Sequence, residues 1–397
     1  MSWPRIALGL LAAMTLLWFF GPRDKLRTEQ AAEMPADPRA WLTDREAGIR
    51  PEVASYLQWA GQPGEAKDLA ILYVHGFSAS PAELRPLPEQ VAQALGANLL
   101  AIRLTGHGGT GADLAAARAQ DWWRDLAQGL AAARQMGRRV VVIGMSTGAT
   151  LAALAAREPH LGGMMEGVVL ISPNFRLWAR GDWLLDLPLA RQIVRLTGDP
   201  ERCFATRNDL HRARWTSCYP LSATLAVGAL LRQARRGGFG AARAPALFIW
   251  SDGDRIVDHA ASARVAEQWS SATVLKVAPG PGDDPNAHVI AGEGVEAVVS
   301  SVVEDFMIQA QAILDEIKDG AHTTQEKVGM LVSLSDAMTK MAASAKRFAP
   351  KVSELGVAQD VMAKLLDFVR DEFPQHSSAI LEVIEPFSER LAEIYTS

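Results

Sequence analysis

The chain has little cysteine, no excess of positive charge and no clustered histidine, and each shortage removes a class of function. Two cysteines in 397 residues, Cys203 and Cys218, are too few for a disulfide-built scaffold and lack the paired spacing of a structural zinc site. Both lie in one polar, loop-rich stretch, so a bridge and two free thiols are equally open. The eight histidines form no H-x-x-x-H pair, and neither a metal nor a cofactor is expected. Lys and Arg total 40 against 45 Asp and Glu, a net charge of -5, which argues against a binder of phosphate backbones. With 49% hydrophobic and 21% charged residues, the composition is that of a globular protein rather than a disordered one.

Those shortages are uneven along the sequence. None of the 11 tryptophans lies beyond Trp269, and near residue 310 an arginine-rich composition gives way to a lysine-rich, acidic one. The shift separates a body from an extension over 311–397. Ile380, Ile384, Phe387, Leu391 and Ile394 recur there at helical spacing, and Thr323 with Glu326 has the form of a capping box. The extension is expected to be helical, without chemistry of its own, and suited to a protein partner or to self-association. At the other end, an uncharged apolar run from Ile6 to Phe20 follows Arg5. It has the length of a signal-peptide core, and no small-x-small cleavage site follows it. Residues 1–22 are therefore expected to be a membrane anchor or signal, with the uncleaved anchor preferred, although a comfortable span takes about 20 apolar residues.

After a proline-rich linker over 23–64, apolar runs alternate with helical patterns through a body spanning 65–310. Strands are predicted at Leu69 to Val74, Asn98 to Leu104, Arg139 to Met145, Gly167 to Ile171, Ala246 to Trp250 and Thr273 to Val277. Helices are predicted at Pro81 to Leu95, Ala119 to Met136, from Ser146, at Ala260 to Trp269 and at Ala291 to Gln309. Such alternation predicts an α/β fold, a mostly parallel sheet with helices on both faces and ligands at the carboxyl ends of its strands. An insertion over 173–243 interrupts the series and holds Phe175, Leu177, Trp178, Trp183, Leu184, Leu185, Leu187 and Leu189. A lid over an apolar pocket, with Trp178 and Trp183 lining its acyl side, and a helical cap with a small core of its own are both consistent with that composition.

The stretch "VVVIGMSTGATLAALAA" sets Ser146 between a β-branched run and a run of helix formers, flanked by Gly144 and Gly148. A serine at a tight strand-to-helix turn presents its hydroxyl outward, and the glycines avoid collisions with the neighbouring elements. A serine hydroxyl is a poor nucleophile near neutral pH, so it requires a base, a carboxylate to orient the base, and donors for an oxyanion. "VHGF" offers Phe77 N-H, which with Thr147 N-H makes the candidate oxyanion hole, while His75 fits a loop-bracing role. "TGHGG" holds His107, read as structural, and is no phosphate cradle because no G-K-[ST] follows. "FIWSDGDRIVDHA" supplies the acid: Asp254 first, Asp252 second, and Asp258 as the cap of the next helix. "GDDPNAHVIAGEG" supplies His288 as base; His160, His211, His259, His322 and His376 are read as surface or helix-face residues.

Together "ILYVHGF", "RLTGHG", "VVVIGMSTGAT", "LISPN", "IWSDGDRIVD" and "AHVIAG" resemble the α/β-hydrolase superfamily, most closely its bacterial carboxylesterase and monoacylglycerol lipase branch. The resemblance implies a Ser146, Asp254, His288 triad with Phe77 and Thr147 as oxyanion donors, acting on a small carboxylic ester such as an acyl lipid. An aminopeptidase-like hydrolase is an alternative, disfavoured by Arg176, Arg180, Arg191 and Arg195 in the insertion; a non-catalytic binding module is another. With the N-terminal segment, the resemblance implies a membrane-anchored enzyme at the bacterial inner membrane, with a weak preference for the periplasmic side. The extension resembles the helical C-terminal part of a Mu-like phage family of small-terminase type. It lacks the DNA-binding part of such proteins, so no nucleic-acid function is carried over.

Overall fold

A computed structural model of the chain describes residues 12, 15–28, 37–179, 181–277 and 284–289. The helix expected from Ala291 and the extension over 311–397 lie outside the described residues. Seven strands form one sheet in the order β1 (Tyr56–Gln58), β3 (Asn98–Ile102), β2 (Lys67–Val74), β4 (Gly137–Met145), β5 (Gly167–Ile171), β8 (Ala246–Trp250) and β9 (Ala272–Lys276). Every pairing is parallel except that of β1 with β3. The edge strand β1 and a helix at Pro38–Arg45 fall within the stretch expected as a linker.

Continuous apolar runs make such a sheet because both faces of each strand are covered. Ala70, Leu72, Val74, Val140, Val142, Leu170 and Phe248 pack on one side with the helices Ala119–Met136, Thr147–Arg157 and Thr224–Arg235. The intervening Ile71, Tyr73, Leu99 and Ala101 are equally buried, and the helix Leu87–Ala94 packs on β2 and β3. Each fully buried aliphatic side chain stabilises the fold by roughly 1.5–3 kcal/mol. The helix expected from Pro81 begins instead at Leu87, after turns over 81–86. Pro86 lacks an N-H and Pro88 sits in the first turn, where a missing donor is tolerated, so these prolines mark the entry.

The insertion is not all lid. Its helix Thr224–Arg235 buries Leu225, Leu230 and Leu231 against Thr147–Arg157 and Ala119–Met136, and so belongs to the core. The lid-like part holds a 3-10 turn (Asp182–Asp186), a helix (Ala190–Leu196) and a two-stranded hairpin of β6 (Glu201–Cys203) and β7 (Cys218–Pro220). Cys203 and Cys218 face each other in the register of that hairpin and are bridged, with Cα atoms 4.2 Å apart. The structure thereby decides a pairing that the sequence left open.

The expected N-terminal anchor needs correction. Among the described residues, no helix is long and apolar enough to cross a membrane. Residues 15–20 are helical, but the chain then turns onto the insertion and becomes polar. Pro22 O accepts from Leu189 N-H at 2.8 Å, Arg23 Nε donates to Asp186 O at 2.9 Å, and Asp24 pairs with Arg191. The described helix over residues 15–20, tied down at its charged end, is shorter than a span requires. The membrane-anchored, periplasm-facing localisation built on that segment falls with it.

Candidate active site

Ser146 follows the last residue of β4 and precedes the first turn of Thr147–Arg157, with φ 52° and ψ -112°. A non-glycine residue at positive φ is strained and persists only where its surroundings enforce it. Here the parallel neighbours do so: Ser146 N-H donates to Ile171 O at 2.8 Å, and Ser146 O accepts from Thr150 N-H at 3.0 Å and Asn174 N-H at 3.2 Å. The flanking glycine is obligatory, since a Cβ on Gly148 would lie 2.1 Å from Val74 O.

His288 reaches this serine from the far side of the sheet's carboxyl edge. Its Nε2 lies 3.0 Å from Ser146 Oγ, and its Nδ1 lies 2.8 Å from Asp254 Oδ2. A carboxylate only accepts, so Nδ1 carries the hydrogen and Nε2 is left to accept from the serine hydroxyl. Asp254 is 1% exposed, and its other oxygen accepts from Ile256 N-H at 2.8 Å and Val257 N-H at 2.9 Å. Those bonds hold the carboxylate in one rotamer. The histidine loop is held as well: Ser172 Oγ donates to His288 O at 2.8 Å, and Arg255 N-H donates to Asn286 O at 2.9 Å.

The structure separates the acids that the sequence grouped. Asp252 points outward, where it takes Lys276 Nζ at 2.9 Å and Trp250 Nε1 at 3.1 Å. Asp258 caps its helix by accepting from Ala260 N-H at 3.0 Å. Thr147, the first residue of the helix, has an N-H with no intrahelical acceptor. Phe77 follows Gly76 just past β2, and its ring packs edge-on to His107, Trp122 and Tyr219. The backbone N-H of Trp178 donates to Ile256 O at 3.0 Å, beside the Asp254 turn, and the residue is 54% exposed. Trp183 lies in the 3-10 turn and is also about half exposed.

Two buried histidines brace the loops. Leu104 N-H donates to His75 Nε2 at 3.0 Å, which fixes the hydrogen on Nδ1, and Nδ1 donates to Gly76 O at 2.8 Å. Burial holds His75 well below its ordinary pKa and lowers His107 to about 4, so both are neutral near pH 7. One group escaped the sequence reading. Glu83 lies in the turns over 81–86 with its carboxylate on Gly76 N-H, and burial pushes its pKa up to about 7. Its only trace in the sequence is a charge where the helical pattern starts.

A family model described as "Alpha/beta hydrolase family" matches residues 71–300. The chain belongs to the α/β-hydrolase family. A thermostable monoacylglycerol lipase of Bacillus sp. (strain H-257) is 34% identical over 98 residues, which are 24% of this chain and 39% of the lipase. The chain thus spans well under half the length of that curated relative. A solved structure from a study of LipS and LipT, two metagenome-derived lipolytic enzymes, superposes with a TM-score of 0.51. It is 20% identical and covers 64% of this chain and 98% of its own, a likeness of fold. A second model, described as a protein of unknown function (DUF1804), matches residues 285–394.

Proposed function

We propose that the protein is a serine esterase that cleaves carboxylic esters of an acyl lipid, a monoacylglycerol or lysophospholipid, through an acyl-enzyme on Ser146. The observation that carries this reading is the unbroken hydrogen-bonded run from Ser146 Oγ through His288 to Asp254, with links of 3.0 and 2.8 Å. Ser146 Oγ attacks the ester carbonyl carbon while His288 Nε2 takes its proton. Asp254 keeps Nδ1-H pointed and stabilises the imidazolium that forms. The carbonyl oxygen gathers negative charge and is met by the N-H groups of Phe77 and Thr147. Collapse expels the alcohol, which takes the proton back from His288. Water then attacks the acyl-serine, with His288 again accepting a proton and returning it to Ser146.

The acyl preference is supported by the apolar residues at the start of the insertion, where Leu177 is partly buried and half-exposed Trp178 stands beside the Asp254 turn. The lipase named among the relatives hydrolyses the same class. We assign the hydrolase body to residues 65–310 together with the edge strand β1 (Tyr56–Gln58) that completes its sheet, and 311–397 to a separate extension. A fluorophosphonate probe, paired with chromogenic esters from acetyl to palmitoyl, tests the assignment. The full chain is expected to be labelled and to turn over esters, and Ser146→Ala to lose both by at least about 10⁴-fold. Folded protein that neither labels nor hydrolyses any ester overturns it.

A further inference from the structure

Across Gly76 from Ser146 sits a carboxylate for which the acyl-transfer steps have no use. A Cβ placed on Gly76 would meet Glu83 Oε1 at 2.9 Å and Ser146 Cβ at 3.2 Å, so glycine is the thin partition between them. Glu83 is 8% exposed, and burying a carboxylate is costly unless donors repay it. Its Oε2 accepts from Gly76 N-H at 2.7 Å and from the hydroxyl of fully buried Tyr73 at 3.2 Å.

Gly76 is therefore held at both of its peptide groups, its N-H by Glu83 and its C=O by His75 Nδ1-H at 2.8 Å. In a trans peptide the C=O of one residue and the N-H of the next lie in one plane and point in opposite directions. Wherever Gly76 O is held, Phe77 N-H is aimed the other way. Glycine has the widest backbone freedom of any residue, so an unheld Gly76 lets that peptide turn. His75 supplies one grip and is itself braced by Leu104 N-H at the end of β3. The other grip comes from Glu83.

We propose that Glu83 is a positioning residue for the oxyanion donor Phe77 N-H, its carboxylate clamping Gly76 against His75 so that the donor stays aimed at the carbonyl oxygen of the ester that Ser146 attacks. This role rests on the ester-hydrolase reading of the same site. It acts on the transition state and leaves ground-state binding alone, because the oxyanion exists only after attack.

Steady-state kinetics on a chromogenic ester and inhibition by a trifluoromethyl ketone bearing an acyl chain read the clamp in the full chain. The ketone forms an oxyanion on Ser146, so its affinity reports the aim of the donors. Glu83→Ala is expected to lower kcat at least about tenfold with KM changed less than about threefold, and to weaken the ketone by the same factor as kcat/KM. Glu83→Gln, whose amide oxygen still accepts from Gly76 N-H, is expected to recover kcat to within about threefold of the parent. Tyr73→Phe, which removes the second donor only, should fall between them. If Glu83→Ala does not fold, Glu83→Leu, which fills more of the space than alanine and removes the acceptor, replaces it against Glu83→Gln. Unchanged kcat in a folded Glu83→Ala or Glu83→Leu overturns the role, as does Glu83→Gln losing as much as they do, or a kcat loss without loss of ketone affinity. Absence of hydrolysis and probe labelling in the parent chain would instead sink the ester-hydrolase reading.

Discussion

The carboxyl end of β4 and the insertion after β5 hold functional candidates by different means. At the strand end, Ser146, Asp254 and His288 are all under 10% exposed, and Ser146, Ser172 and Arg255 are tied by backbone bonds to neighbouring strands and loops. In the insertion, Trp178, Trp183, Leu184, Ile193 and Leu196 stand open to solvent. What orders that region is a disulfide, the pair Arg235 with Asp182 at 3.0 Å, and the pair Arg232 with Asp186. Where packing fixes backbone, a side chain is aimed to within the tolerance of acyl transfer. Where cross-links fix it, the surface is free to adapt to substrate. In the proposed function the chemistry would belong to the first region, and the choice of acyl chain to the second.

Breaking the strand end should have the larger consequences. Gly148→Val puts a side chain 2.1 Å from Val74 O, backbone that cannot retreat without parting β2 from β4. We expect no folded protein, or a loss above about 4 kcal/mol, read by urea unfolding. Acid should act on the same region through its buried histidines. His107, lowered from 6.5 to about 4, contributes stability that is full above pH 6.5 and lost as pH falls toward 4, on the order of 3 kcal/mol. His75 shifts the same way. Glu83, raised from 4.5 to about 7, has the opposite sense: its contribution is full below 4.5 and lost as pH rises through 7. Unfolding midpoints measured from pH 8 to 4 should therefore drop on the acid side, and Glu83→Gln should steepen that drop. A flat profile would show that these groups are not held in the forms described.

Changes in the insertion sharpen the contrast from the other side. Cys203 and Cys218 close a loop of separation 15, for which chain entropy gives about 3 kcal/mol. Cys203→Ser should lower global stability by up to that amount while leaving fluorophosphonate labelling of Ser146 intact; loss of labelling would tie the hairpin to the triad. Trp178→Ala and Trp183→Ala, each removing a half-exposed ring, should change stability by less than about 0.5 kcal/mol. Their effect is expected in KM for long-chain esters, about three- to tenfold, with acetyl esters unaffected. Equal effects on both chain lengths would remove the acyl-side assignment.

Legibility followed the same division. The helix Ala119–Met136 and the strands Gly167–Ile171 and Ala246–Trp250 lie where periodicity put them, because buried elements of a parallel sheet carry unbroken apolar runs or a full helical stripe. Ser146 and His288 were legible as residues in loops between such elements, and Asp254 was favoured over Asp252 and Asp258 only by its place in the turn. In the structure His288 Nδ1 meets Asp254 Oδ2, and two backbone N-H groups hold Asp254 Oδ1, contacts that the turn's sequence alone does not disclose. Glu83 was not legible, since its use depends on a turn folding back onto Gly76. Nor was the core role of Thr224–Arg235, whose apolar stripe does not say which surface it covers. The apolar N-terminal run misled because hydropathy counts residues and is blind to what lies next to them.

By itself the sequence determined the alternation of strands and helices, the serine at a strained turn flanked by glycines, and the supply of an acid and a base in later loops. Local propensity and short-range sterics act over a few residues, and these features need no more. Only the tertiary structure decided which carboxylate meets His288, that the two cysteines join, where residues 15–24 run, and that Glu83 grips Gly76. The first depends on the packing of parallel strands, which brings together side chains 34 and 142 residues apart along the chain, and the others on how a hairpin, a chain end and a turn fold back onto their neighbours.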